Sequence, residues 1–166
     1  MDQLLQVPLT MTTNKAGLTA GTTTTYSITA NPLLYMIRGK FYSKATVTNG
    51  ATPTTDANSG LAFKAQAIGT GSVYVFGYDA SGNVKVSQGS IETLDPTGAF
   101  VAAPLMPDTV DSMAPFGYLL VRLAPATATT PAVAPWTFGT NNLSGVTGVT
   151  YAFQDLGTLV DRPQIS

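Results

Sequence analysis

The run Ser72-Val73-Tyr74-Val75-Phe76-Gly77-Tyr78, then Asp79-Ala80-Ser81-Gly82-Asn83, then Val84-Lys85-Val86-Ser87 decides the fold. In an extended chain Val73 and Val75 fall on one face, and Tyr74, Phe76 and Tyr78 on the other. Apolar side chains on both faces need cover on both, so this strand is expected at the centre of a sheet. Asp at the first position of the connection and Gly at the fourth fit a type I turn with a glycine bulge. The chain then returns as a partner strand, which gives a hairpin spanning Val73 to Ile91.

Outward from this hairpin the extended pattern persists. Between Arg38 and Thr48, Phe41, Ala45 and Val47 share one face, and Lys40, Tyr42, Lys44, Thr46 and Thr48 share the other. Period two over this length predicts one half-exposed strand. Asn49 to Gly60 reads as a loop, and Leu61 to Ala67 alternates again. Asp95-Pro96-Thr97-Gly98 is a second turn signal. Pro104, Pro107 and Pro115 make the next stretch irregular. Gly117 to Leu123 reads as a buried strand, 125–135 as an exposed loop rich in Ala, Thr and Pro, and Trp136 to Phe138 and Val146 to Phe153 as the last strands.

Short strands at this spacing predict an all-β chain. The expected body is a single β-sandwich or barrel-like domain over residues 26–160, with a jelly roll among the topologies that fit. Residues 1–25 hold Leu4, Leu5, Val7 and Leu9 and then a polar run with no aromatic before Tyr26. Such a segment is expected as an extended N-terminal arm that does not bury itself. Residues 161–166 form a C-terminal tail.

Composition narrows the chemistry. Charged residues are 10 % of the 166, against about 25 % in an average soluble chain. Eight Lys and Arg balance nine Asp and Glu, so the positive field that holds nucleic acid through its phosphates is lacking. His and Cys are absent. Disulfides, thiolate or imidazole metal ligands, and catalytic triads or dyads built on His or Cys are therefore excluded. The start, Met1-Asp2-Gln3-Leu4-Leu5, has no basic n-region, and no apolar stretch approaches the ~18 residues that cross a membrane. The expectation is a soluble, non-enzymatic chain with no cofactor, no metal, no nucleic acid and no membrane partner.

Four constellations carry candidate chemistry. Arg38, Lys40 and Lys44, with Tyr42 between them, could form a contact stripe for a partner, or an ordinary solvated edge blunted by lysine. Asp79, Ser81 and Asn83 have the spacing of calcium-loop ligands, but the glycine is misplaced and no bidentate Glu follows; the turn reading explains them more simply. Asp108 and Asp111, with Asp95 upstream, are the local acidic cluster, and paired carboxylates serve glycoside hydrolysis. Trp136, the lone tryptophan, could stack on a sugar or fill the core. A carbohydrate-binding domain built on Asp108, Asp111 and Trp136 is the distant alternative.

Further runs carry a resemblance. They are Ile37-Arg38-Gly39-Lys40 through Ala45-Thr46-Val47-Thr48-Asn49-Gly50-Ala51-Thr52-Pro53-Thr54-Thr55-Asp56, Val75-Phe76-Gly77-Tyr78-Asp79-Ala80-Ser81-Gly82-Asn83, Pro115-Phe116-Gly117-Tyr118, Trp136-Thr137-Phe138-Gly139 and Asp161-Arg162-Pro163-Gln164. Across most of residues 15 to 165 the chain resembles small structural proteins encoded by tailed bacteriophages. The resemblance implies a virion protein, made in the host cytoplasm and carried on the capsid surface. The type it points to is a head decoration, or cement, protein that binds outside the major capsid lattice. It implies the phage major capsid protein as partner and a homo-oligomer, a trimer by carry-over. On this reading Leu4, Leu5, Val7 and Leu9 of the arm and Arg38, Lys40, Tyr42 and Lys44 of the stripe are the contact residues. A tail protein or a fibre or receptor-binding module is the alternative.

Overall fold

A computed structural model describes residues 9–125 and 130–156. They form an all-β sandwich of three antiparallel sheets. In chain order the strands are β1 (Met11–Thr12), β2 (Thr19–Ala20), β3 (Tyr26–Ile28), β4 (Leu33–Ile37), β5 (Lys40–Lys44), β6 (Val47–Gly50), β7 (Thr70–Tyr78), β8 (Val84–Thr93), β9 (Ala114–Leu123) and β10 (Val149–Asp155). The largest sheet runs β10-β9-β7-β8, and the two small sheets run β1-β4-β5 and β2-β3-β6.

β7 lies between β8 and β9 and is buried on both faces, as its composition requires. Its Tyr74, Phe76 and Tyr78 face the small sheets, where Tyr26 of β3 meets Phe76 and Tyr35 of β4 meets Tyr78, each at 5.8 Å between ring centroids. The β7–β8 connection closes on its own carboxylate. Asp79 Oδ1 accepts from the N–H groups of Ser81 and Asn83, both at 2.9 Å, and Gly82 takes φ 76°. Asp95-Pro96-Thr97-Gly98-Ala99 repeats that geometry. Asp95 Oδ1 accepts from Thr97 and Ala99 N–H at 2.8 and 3.0 Å, and Gly98 takes φ 84°. Hydrogen bonds from the Thr97 side chain and the turn amides hold the Asp95 carboxyl below its ordinary pKa.

The phenols that the core buries need polar partners. The Tyr26 and Tyr78 hydroxyls bond each other at 2.9 Å, and Tyr35 donates to the Asp79 carbonyl at 3.2 Å. The Tyr74 hydroxyl accepts from Gln66 Nε2 at 2.8 Å and Gln88 Nε2 at 3.1 Å. Burial pushes the Tyr26, Tyr74 and Tyr78 phenols above the ordinary range.

The other face of β7, with Val73 and Val75, is covered by the irregular segment 94–113. A side chain at Gly71 would meet the Phe100 ring, one at Gly89 the Leu105 carbonyl, and one at Gly77 the Met113 side chain. Glycine at these positions lets this strap lie directly on the sheet. The same strap and the loop at Ala57 also close the outer edge of β8. Ala57 donates to Val86 O at 2.8 Å, Val101 to Thr93 O at 3.1 Å, and Ser90 N–H points to Leu105 O at 3.4 Å.

Asp56 completes that closure. Its carboxylate accepts from Gln88 N–H and Ser59 N–H, both at 2.9 Å. Partial burial opposes the charge, but the hydrogen bonds from Gln88, Ser59 and Asn58 outweigh it and hold the pKa below 3.8. A lowered folded pKa means a contribution present above the unfolded value and lost as pH falls through the folded one. Asp56→Asn is therefore expected to cost about 2 kcal/mol at pH 7. Urea denaturation at pH 7 and near pH 3 should show that gap narrowing in acid; a gap independent of pH would put its source elsewhere.

Several expectations are corrected. Residues 9–25 are extended but belong to the body. Ala16 and Leu18 are buried, Leu18 N–H donates to Asp155 Oδ1 at 3.0 Å, and Thr12 Oγ1 donates to Pro115 O at 2.7 Å. Arg38 to Thr48 is not one strand: it opens with the β4–β5 turn, contains β5, and then passes into β6 of a different sheet. Leu61 to Ala67 and Trp136 to Phe138 make only isolated bridges, Thr55 with Ala62 and Gln66 with Trp136. Leu4, Leu5, Val7 and the 161–166 tail lie outside the described residues, as do 126–129 of the expected exposed loop and 157–160 of the expected body.

Candidate functional site

The β4–β5 hairpin is the candidate site, and its turn sets the geometry. Ile37 pairs with Lys40, so Arg38 and Gly39 are the two turn residues, with φ 48° and 77°. Two positive φ values make a type I′ turn, whose twist matches that of paired strands. The preceding segment fastens it: Gly39 N–H donates to Leu9 O at 2.9 Å and Arg38 N–H to Thr10 Oγ1 at 3.1 Å. The Arg38 guanidinium reaches Asp111 of the strap at 3.9 Å, with both side chains largely in water. Such a pair contributes little.

Lys40, Tyr42 and Lys44 share one face of β5, as their spacing requires, but that face turns toward the body. Tyr42 stacks on Tyr35 with centroids 5.5 Å apart. Lys44 Nζ donates to Gly82 O at 2.8 Å and lies 5.3 Å from the Tyr78 ring centre. Lys40 Nζ lies 5.7 Å from the Tyr42 ring centre. Of the four stripe residues, Arg38 and Lys40 are exposed, while Tyr42 and Lys44 are half-buried and engaged within the fold.

The opposite face carries the signal that sequence reasoning missed. Met11 pairs with Met36, and Met36 with Phe41, so three apolar side chains form one row across β1, β4 and β5. On β4 they alternate with buried Leu33, Tyr35 and Ile37, which fixes the row on the outward side. Leu34 lies beside it, 43 % exposed, and Leu9 borders it at 60 %; Phe41 is 71 % exposed. The alternation of β4 with β5 across a two-residue turn could have revealed this row, had Arg-Gly been read as a turn.

The remaining candidates are placed elsewhere. The Asp79 oxygens are taken by N–H groups of Ser81 and Asn83, with the Asn83 amide on Oδ2 at 3.2 Å. Asp95 closes its own turn, Asp111 faces Arg38, and Asp108 accepts through its backbone carbonyl from the Asn58 amide. Trp136 is fully buried against Tyr74, Phe138 and Tyr151, with Nε1 donating to Asn142 O at 3.2 Å. No platform for a sugar is open there, which overturns the saccharide site built on Trp136. Among the described residues no three acidic side chains come together as a metal site, and no helix is long and apolar enough to cross a membrane. The chain has no significant match to a family model, a curated protein or a solved structure.

Proposed function

We propose that this protein is a non-enzymatic structural subunit of a tailed-phage virion. Its role is that of a head decoration protein, which binds the outer surface of the major capsid lattice in several copies and stabilises it. The observation that carries the reading is the outward row Met11–Met36–Phe41, with Leu34 and Leu9 at its margins. A charge-poor sheet face with apolar side chains in water suits a broad contact with another protein. Arg38 and Lys40 at its turn end supply polar contacts at the rim. The resemblance to phage structural proteins that runs over most of residues 15 to 165 supports the choice of partner. Repetition over a lattice lets modest contacts add through effective concentration.

Phe41→Lys is the direct test. The side chain is 71 % exposed, so the fold should keep its stability to within about 0.5 kcal/mol. Co-sedimentation with heads of the encoding phage should weaken at least tenfold. Undiminished binding would remove this face from the interface, and purified particles that lack the protein would end the reading.

A further inference from the structure

The sheet edges of this fold are protected unequally. The β8 edge is closed by residues 56–57, 101 and 105. β1 and β2 are two residues long, β5 carries Lys40 and Lys44, and β6 bends at Asn49, where φ is 54°. Short strands, lysines and bends are devices that keep edges from pairing with other chains. β10 has none of them. It reads Val149-Thr150-Tyr151-Ala152-Phe153-Gln154-Asp155, pairs with β9 in unbroken register, and holds no Lys, Arg, Pro or Gly.

Its open side can be assigned residue by residue. Ala124 N–H donates to Gly148 O and Leu156 N–H to Phe116 O, so even-numbered residues bond to β9. The N–H and C=O groups of Tyr151, Phe153 and Asp155 therefore point away from it. Among the described residues nothing bonds to them. The open stretch begins just past Thr147, whose carbonyl accepts from Ala132 N–H at 2.9 Å. Along it, Tyr151 and Phe153 on the inner face pack against the core yet stay half-exposed.

We propose that β10 pairs antiparallel with β10 of a second copy about a two-fold axis, joining two four-stranded sheets into one of eight. In the register that overlaps all seven residues, Tyr151 stands opposite the partner's Phe153, Ala152 opposite the partner's Ala152 on the axis, and Val149 opposite the partner's Asp155. Outward-pointing groups then face outward-pointing groups, as hydrogen-bonded pairs require. Each end residue with a charge meets an uncharged one, so no like charges oppose. Two aromatic cross-strand pairs extend the core through the junction. The contact is isologous and closes at two copies, unlike the trimer implied by resemblance. It stands independently of attachment to a capsid.

The test uses the full chain and two charge variants at Ala152, which lies on the outer face away from the core. Sedimentation equilibrium should give twice 17.2 kDa for the native chain. Ala152→Lys and Ala152→Glu should each weaken association at least tenfold, because like charges meet on the axis. An equimolar mixture of the two should restore it. Hydrogen exchange at the amides of Tyr151 and Phe153 should slow as concentration rises. A native chain that stays at 17.2 kDa at high micromolar concentration would overturn the proposal, as would a trimer unaffected by both variants. So would slow exchange at Tyr151 and Phe153 that is independent of concentration, which would mean the edge is covered within one chain.

Discussion

Phe138→Ala is expected to lower stability by about 3–5 kcal/mol, the range for deleting a fully buried aromatic ring. Phe138 is 1 % exposed and joins parts of the core that are distant in sequence. It stacks on Tyr74 of β7 at 4.8 Å and meets the edge of Phe63 at the same distance. It also contacts Phe76 and Trp136. The loops 61–67 and 136–143 are bridged to each other through Gln66 and Trp136 and pair with no strand, so ring contacts rather than strand pairing hold them to β7. At about 2–4 °C per kcal/mol for a chain of this size, the melting temperature should fall by about 10 °C. Trp136, retained in the variant, reports unfolding by fluorescence in urea. A loss under 1 kcal/mol would mean that the neighbouring rings collapse into the space, and that Phe138 is not the joint between these loops and β7.

A chain that begins at Thr25 is expected not to fold cooperatively. It lacks β1, β2, Ala16 and Leu18. Losing Leu18 alone costs about 2–3 kcal/mol of burial. Truncation also removes the donors to Pro115 O and Asp155 Oδ1, and strips β4 and β3 of the strands that pair with them. Against a total of about 5–15 kcal/mol, the sum consumes most of the margin. A chain that begins at Leu9 keeps these contacts and is the control. Near-ultraviolet circular dichroism and a thermal melt separate the two. A native-like melt of the shorter chain would show that residues 9–24 are an appendage after all.

The hairpin was legible because its signals are local. Tyr74, Phe76 and Tyr78 alternate with Val73 and Val75, and Asp79 to Asn83 carries its own turn chemistry within five residues. The centrality of β7 followed from apolar side chains on both faces. The β4–β5 hairpin was not legible for the same reason in reverse. Arg38 occupies a conformation that a non-glycine residue seldom adopts, and the partners of the turn, Thr10 for Arg38 and Leu9 for Gly39, lie far away along the chain. With the turn unread, β5 had the correct period and the wrong sense: lysines were expected in water, yet Lys44 lies on Gly82 while Phe41 faces out. The role of residues 9–25 depends on Pro115 and Asp155, more than 100 residues distant, and no window along the sequence contains both partners. The strap over Val73 and Val75 left a fainter trace, in glycines placed inside strands where they would otherwise weaken pairing.

The bond between Leu18 and Asp155 has a kinetic consequence. These residues are 137 positions apart, and Thr12 and Pro115 are 103 apart. During synthesis β1 and β2 can pair with β4 and β3 as soon as those emerge, but the bonds of this segment to Pro115 and Asp155 must wait until the last strands have left the ribosome. Topologies ruled by such distant pairings fold in milliseconds to seconds rather than microseconds. Until then the side of β7 that pairs with β9 stays open, so the unfinished molecule carries an unpaired strand edge at its centre.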